Sequence, residues 1–95
     1  MSKQQTFMIL LHDQKPLSKD IIYSHVDHLK ALDHQGKLIF SGPFKHHEGG
    51  VVIIYATSKE EAQKIALLDP FIKEGFKTYE IIEVEHAYQK NNYLI

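Results

Sequence analysis

Two short segments, Phe7-Met8-Ile9-Leu10-Leu11 and Val51-Val52-Ile53-Ile54-Tyr55-Ala56, carry an apolar or aromatic side chain at every position. Runs this short have strand length, not helix length. Successive side chains on a strand point to opposite faces. The first segment therefore offers Phe7, Ile9 and Leu11 on one side and Met8 and Leu10 on the other. The second sets Val51, Ile53 and Tyr55 against Val52, Ile54 and Ala56. A sheet with one face in water alternates apolar and polar residues instead. Both faces of this sheet need a cover, and little chain is left to supply it.

What remains reads as two helices and two further strands. Ser18 is a helix N-cap followed by Lys19 and Asp20 in the first turn. At about 100° per residue, Ile21, Ile22, Val26, Leu29 and Leu32 share one face, with Tyr23, Asp27 and Lys30 opposite. Gly36 stands where a helix C-terminus takes a left-handed residue. Lys37–Ser41 is the second strand, stopped by Gly42-Pro43. A loop, Lys45-His46-His47-Glu48-Gly49-Gly50, reads as a solvated hairpin leading into Val51. Ser58 and Glu61 form a capping box for a helix ending near Leu68, with Ala62, Ile65 and Ala66 inward. Asp69-Pro70 ends it, because a residue before proline is pushed out of the α region. Phe71–Gly75 reads as one helical turn, and Lys77–His86 as the last strand.

The order is βαββαβ, a ferredoxin-like α+β arrangement filling residues 1–95 as one domain. Two helices cover one face of a four-stranded antiparallel sheet. The simplest cover for the helix-free face is a second copy of the chain, since twofold dimers are the commonest closed assemblies.

Composition narrows the function. All 11 basic residues are Lys, against 12 acidic ones, for a net charge of −1. Nucleic-acid binding, which leans on basic clusters and on Arg forks to guanine, is not expected. The absence of Cys removes thiolate metal sites and Cys nucleophiles. Met1-Ser2-Lys3-Gln4-Gln5 lacks the apolar core of a signal peptide. No apolar run approaches the roughly 20 residues of a membrane span, so a cytoplasmic protein with no membrane partner is expected.

His25 breaks the pattern by falling inside the apolar stripe of the first helix. It reads either as a core histidine satisfied by a carbonyl or as a half-buried acid–base group. Asp69 likewise has two readings: a cap for the turn starting at Pro70, or a carboxylate that reaches the first helix and orients His25. His28 lies three residues from His25, but no third ligand is spaced to join them, and no metal or cofactor is expected. Gly49-Gly50 is a turn, not a phosphate loop, because no helix follows it.

Four blocks resemble the YCII-related (YciI-like) family: His25-Val26-Asp27-His28-Leu29, Gly36-Lys37-Leu38-Ile39-Phe40-Ser41-Gly42-Pro43, Ser58-Lys59-Glu60-Glu61-Ala62, and Asp69-Pro70-Phe71. They occur in family order across nearly the whole chain. The resemblance implies ferredoxin-like protomers joined as a dimeric α+β barrel. It also implies a His–Asp active-site pair, which by position is His25 and Asp69. The family often carries an Arg three residues before that His. Ile22 stands there in this chain, so the role of that Arg does not carry over. One branch contains a dehydrochlorinase of a chlorinated hydroxyhydroquinone, and muconolactone isomerase has a similar fold.

The expectation is a cofactor-free lyase or isomerase for a small cyclic or enolisable substrate. His25 is its acid or base and Asp69 the orienting partner. Ser41 is a candidate donor, with Gly42, Pro43 and Phe71 lining the pocket. The alternative is a non-catalytic, dimeric small-molecule-binding or accessory protein in which the pair only joins helices. Light scattering at micromolar concentration is expected to return a dimer mass, and a monomer there would remove the argument from the two-faced strands.

Overall fold

The two apolar segments become the inner strands of one sheet. In a computed structural model, which describes residues 4–94, strands β1 (Gln5–Asp13), β2 (Leu38–Pro43), β3 (Gly50–Ala56) and β4 (Lys77–Val84) pair antiparallel in the order β2-β3-β1-β4. Helices α1 (Lys19–His34) and α2 (Lys59–Leu68), with the short helix α3 (Pro70–Lys73), follow β1 and β3 in the chain. The fold is the ferredoxin-like α+β arrangement. Met1–Lys3, part of the signal-peptide reading, lie outside the described residues.

Phe7, Ile9 and Leu11 face Ile54, Val52 and Gly50 across the β1–β3 ladder. Apart from Gly50, these residues join Ala56, Leu32, Ala62, Ile65, Ala66 and Phe71 in the buried core. Removing such side chains from water is the main stabilising term, at about 1.5–3 kcal/mol for a fully buried aliphatic or Phe side chain. On the other face the side chains are partly open: Met8, Leu10, Ile53 and Tyr55 are half-buried, whereas Phe40 is 59% and Ile82 42% exposed.

The helix ends follow their local chemistry. Ser18 accepts from the Ile21 N–H, and Ser58 from the Glu61 N–H. The Glu61 carboxylate reaches Thr57 N–H at 3.0 Å, one residue earlier than a regular capping box would place it. Gly36, at φ 73°, closes α1: its own N–H donates to Asp33 O, and the Lys37 N–H to Leu32 O. This is the paired bonding of a glycine-terminated helix.

Several element bounds differ from the sequence reading. Gly42-Pro43 does not stop β2, since Gly42 pairs with Val51 and Pro43 with Gly50. Proline is tolerated there because β2 is an edge strand whose outer side needs no N–H donor. β4 ends at Val84, not His86, because Val84 already pairs with Thr6 near the start of β1. A 3₁₀ turn at Gln89–Asn91, which has no strong pattern in the sequence, follows it.

The hairpin loop is exposed from Lys45 to Glu48, as expected, and Glu48 ties it back to β1. Both nitrogens of His12 face carboxylates, Nδ1 at 3.2 Å from Glu48 and Nε2 at 2.6 Å from Glu80. Carboxylates only accept, so both nitrogens carry protons. Glu80 and then Glu48 raise the His12 pKa above its ordinary value. Glu48 also accepts the Asp13 N–H at 2.8 Å. Gly49 donates to the Asp13 carboxylate at 3.2 Å, at φ 84°, where an added Cβ would lie 2.2 Å from Leu11 O.

Gly49→Ala and Gly36→Ala therefore separate two costs. At Gly36 nothing lies within 4 Å, so alanine there should cost only the left-handed strain of about 1–2 kcal/mol. At Gly49 the clash should add at least about 1 kcal/mol more. Denaturant melts of the two variants measure the difference, and equal losses would mean that the hairpin yields.

Candidate functional site

The second turn of α1 carries His25 toward the start of α3. Pro70 opens α3 with the fixed φ that a first helical residue needs, and Asp69 before it is extended, as an N-cap is. The Asp69 carboxylate accepts the Phe71 N–H at 2.9 Å. The same oxygen, Oδ1, lies 2.8 Å from His25 Nδ1. The two sequence readings of Asp69, cap and histidine partner, thus hold at once. Its side chain is 3% exposed and that of His25 13%.

This contact orients the ring. An ionised carboxylate can only accept, so Nδ1 carries the shared proton and Nε2 holds the lone pair when the ring is neutral. Nε2 has no protein partner among the described residues, and no buried side-chain N or O there lacks one. It is therefore open to the cleft. The Phe71 ring lies flat on the imidazole, with centroids 3.8 Å apart and planes within 7°. Phe71 is fixed in turn: its carbonyl accepts from Phe76 N–H at 2.9 Å beyond Gly75, which closes α3 at φ 78°.

His25 lies on the wall of a cleft of about 410 Å³ between α1, α3 and the β2–β3 end of the sheet. Ser41, Gly42, Pro43 and Phe71 all line it, and Leu11, Leu17, Ile22, Val26 and Leu29 make the walls apolar. Such a cavity, apolar with a few convergent polar groups, is the usual form of a small-molecule site. Asp69 is not in the lining. It stands behind His25, so the dyad meets the cleft through the imidazole alone. Ile22, read as part of the helix's apolar stripe, is 39% exposed and serves the cleft wall more than the core.

His28 is half-buried next to this pair. Burial pushes its pKa below the ordinary value, Asp69 opposes that, and His25 adds to it. Among the described residues, no group of three or more His, Asp or Glu side chains converges to hold a metal. No described helix is long and apolar enough to cross a membrane.

Lys77, at the start of β4, also lines the cleft. Reading the sequence for motifs misses it, because a lysine opening a strand looks like an ordinary surface residue. The signal lies in pairing: Lys77 stands opposite Asp13 in the β1–β4 ladder.

Comparison with known proteins agrees with this architecture. The family model described as the YCII-related domain matches residues 6–85. The uncharacterised protein YjpA of Bacillus subtilis is 30% identical over 70 residues, which cover 74% of this chain and 82% of YjpA. Among solved structures, one similar fold is 5-chloro-2-hydroxyhydroquinone dehydrochlorinase (TftG) of Burkholderia phenoliruptrix, in complex with 2,5-dihydroxybenzoquinone. It superposes with a TM-score of 0.67 at 23% identity, covering 85% of this chain and 94% of that one.

The shared Asp69 oxygen predicts a coupled pair. Replacing His25 by Leu should strand a buried carboxylate and cost about 1–3 kcal/mol. In an Asp69→Ala background the same change should cost little or stabilise slightly, since no carboxylate is left to strand. Urea unfolding of the single and double variants gives the coupling, and strictly additive losses would show that the ring and carboxylate act independently.

Proposed function

This chain belongs to the YCII-related family, and from the cleft built by its matched residues we propose that it is a small-molecule enzyme of the lyase or isomerase type. The observation that carries the proposal is the open Nε2 of His25 on an apolar cleft, with a buried carboxylate behind the same ring. The comparison with a dehydrochlorinase of this fold supports that class.

The reaction needs only proton transfer. His25 Nε2 accepts a proton from an acidic C–H or O–H of a cyclic or enolisable substrate. The electron pair left behind then either expels a leaving group, as in elimination, or is reprotonated at another carbon, as in isomerisation. Asp69 stabilises the imidazolium through the Nδ1–H and keeps the ring in one orientation. Phe71 holds the ring plane, and the Ser41 hydroxyl donates to a substrate oxygen. Apolar walls at Gly42, Pro43 and Leu29 exclude water, which strengthens each of these interactions.

A second copy of the chain covers the helix-free face of the sheet. Its support is the apolar band formed there by Met8, Leu10, Ile53, Phe40, Ile82 and Val84, the last three exposed in the protomer. The cleft lies on the helix side of the sheet, so a dimer formed in this way leaves it open.

The enzyme reading is tested with a panel of halogenated hydroxyhydroquinones and enolisable cyclic ketones. Halide release and solvent deuterium incorporation are read by ion chromatography and NMR. Turnover or exchange is expected in the native protein, with a loss of about 10²–10⁴-fold in His25→Asn at unchanged fold. Equal exchange in the variant would remove His25 from the chemistry. Binding without exchange in the native protein would make it a ligand-binding protein.

A further inference from the structure

Besides His25 and Ser41, the cleft holds one more polar side chain, Lys77. Lysines usually carry the ammonium out to water. This one is only 11% exposed, and its Nζ lies 5.3 Å from the Phe71 ring centroid. Phe71 is the ring stacked on His25. One aromatic ring therefore contacts both basic groups of the cleft.

The Lys77 ammonium donates to Asp13 Oδ1. Asp13 is held in place: its other oxygen accepts from Gly49 N–H, and its own N–H donates to Glu48. Lys77 and then Gly49 hold the Asp13 carboxyl below its ordinary pKa, so it stays ionised. Asp13, like Asp69, is absent from the cleft lining. The cleft thus has two basic side chains, each bonded to a carboxylate that lies outside its lining. An ammonium has three N–H donors, and Asp13 takes one.

An apolar cleft does not hold a cation so far from water unless the cation is answered, and Asp13, half-exposed, answers it from one side only. Lys77 borders both this cleft and a polar groove along Asp13 to Leu17, and its ammonium lies beside Phe71, a residue of the cleft lining. From this placement we propose that Lys77 anchors an anionic oxygen of the ligand, so that the cleft selects flat, apolar acids or enols bearing a carboxylate, phenolate or enolate. This rests on the reading of the cleft as a ligand site and names its ligand class. The anionic oxygen sits at Lys77, and the atom that exchanges a proton sits at His25 Nε2.

The test compares charged probes with neutral ones of the same shape: benzoate with benzamide, and para-nitrophenolate with nitrobenzene. Binding is followed by NMR on the His25 and Lys77 side-chain resonances. At least one anion should bind about tenfold tighter than its neutral partner, the worth of one charge-assisted hydrogen bond. Which anion does so distinguishes carboxylate from phenolate or enolate ligands. Lys77→Met should bring the preference to within about twofold, while Lys77→Arg keeps the charge and most of the preference. Should Lys77→Met fail to fold, the native comparison decides, together with whether the Lys77 resonance follows the anion titration. Equal binding of charged and neutral probes at His25 would overturn the anchor and leave the ligand site standing. Failure of every probe to bind would also overturn the anchor, whereas the proton-transfer assay tests the enzyme reading separately.

Discussion

One oxygen atom, Asp69 Oδ1, is the point on which the functional half of the molecule turns. It receives the backbone N–H that starts α3 and the imidazole N–H that projects from α1. The first contact decides where Phe71 sits, and the second decides how His25 is turned. Phe71 then lies flat against that same imidazole, so backbone, carboxylate and both rings form a closed circuit. A chain of this length buries a modest core, and a charged group within it is costly unless it is hydrogen-bonded. Using one oxygen twice places a carboxylate at a helix junction with its donors already supplied by the fold.

The sheet does the complementary work of making a wall without moving parts. Strand β1 is held on both sides, by β3 and β4, and its far end is tied to the β2–β3 hairpin through His12, Glu48, Asp13 and Gly49. The close approach of Gly49 to the Leu11 carbonyl leaves no room for adjustment there. The cleft therefore sits between two different kinds of rigidity. A hydrogen-bonded strand terminus forms one side, and a stacked pair of rings on two helices forms the other.

Much of this is legible in the sequence. Phe7–Leu11 and Val51–Ala56 announce inner strands by having no polar face, and Ala62, Ile65 and Ala66 mark the inward side of α2. His25 stands out because an imidazole in an apolar stripe needs a partner, and Asp69 stands out because Pro70 follows it. What stayed hidden depends on register. Lys77 becomes noteworthy only once Asp13 is opposite it, and Glu48 only once the hairpin folds back over His12. Periodicity within a segment says which face a residue takes, but it does not say which residue of another strand it will meet.

The register of β2 against β3 shifts between Leu38 and Phe40. Leu38 pairs with Ile54 and packs against the core, while Phe40, two residues later, pairs with Ile53 and faces away from the helices. Residues two apart on a regular strand would share a face, so the extra residue at Ile39 reverses the parity of all that follows. Ser41 reaches the cleft because of that reversal. Strand β2 is an edge with one partner, and deleting Ile39 alone would remove the bulge yet leave Phe40 to Pro43 opposite their present partners, because Leu38 and Phe40 would become regular neighbours on opposite faces. Inserting one residue after Phe40 would instead turn Ser41 to the opposite face, so the length of this edge segment, as well as its composition, decides which side chain meets a ligand.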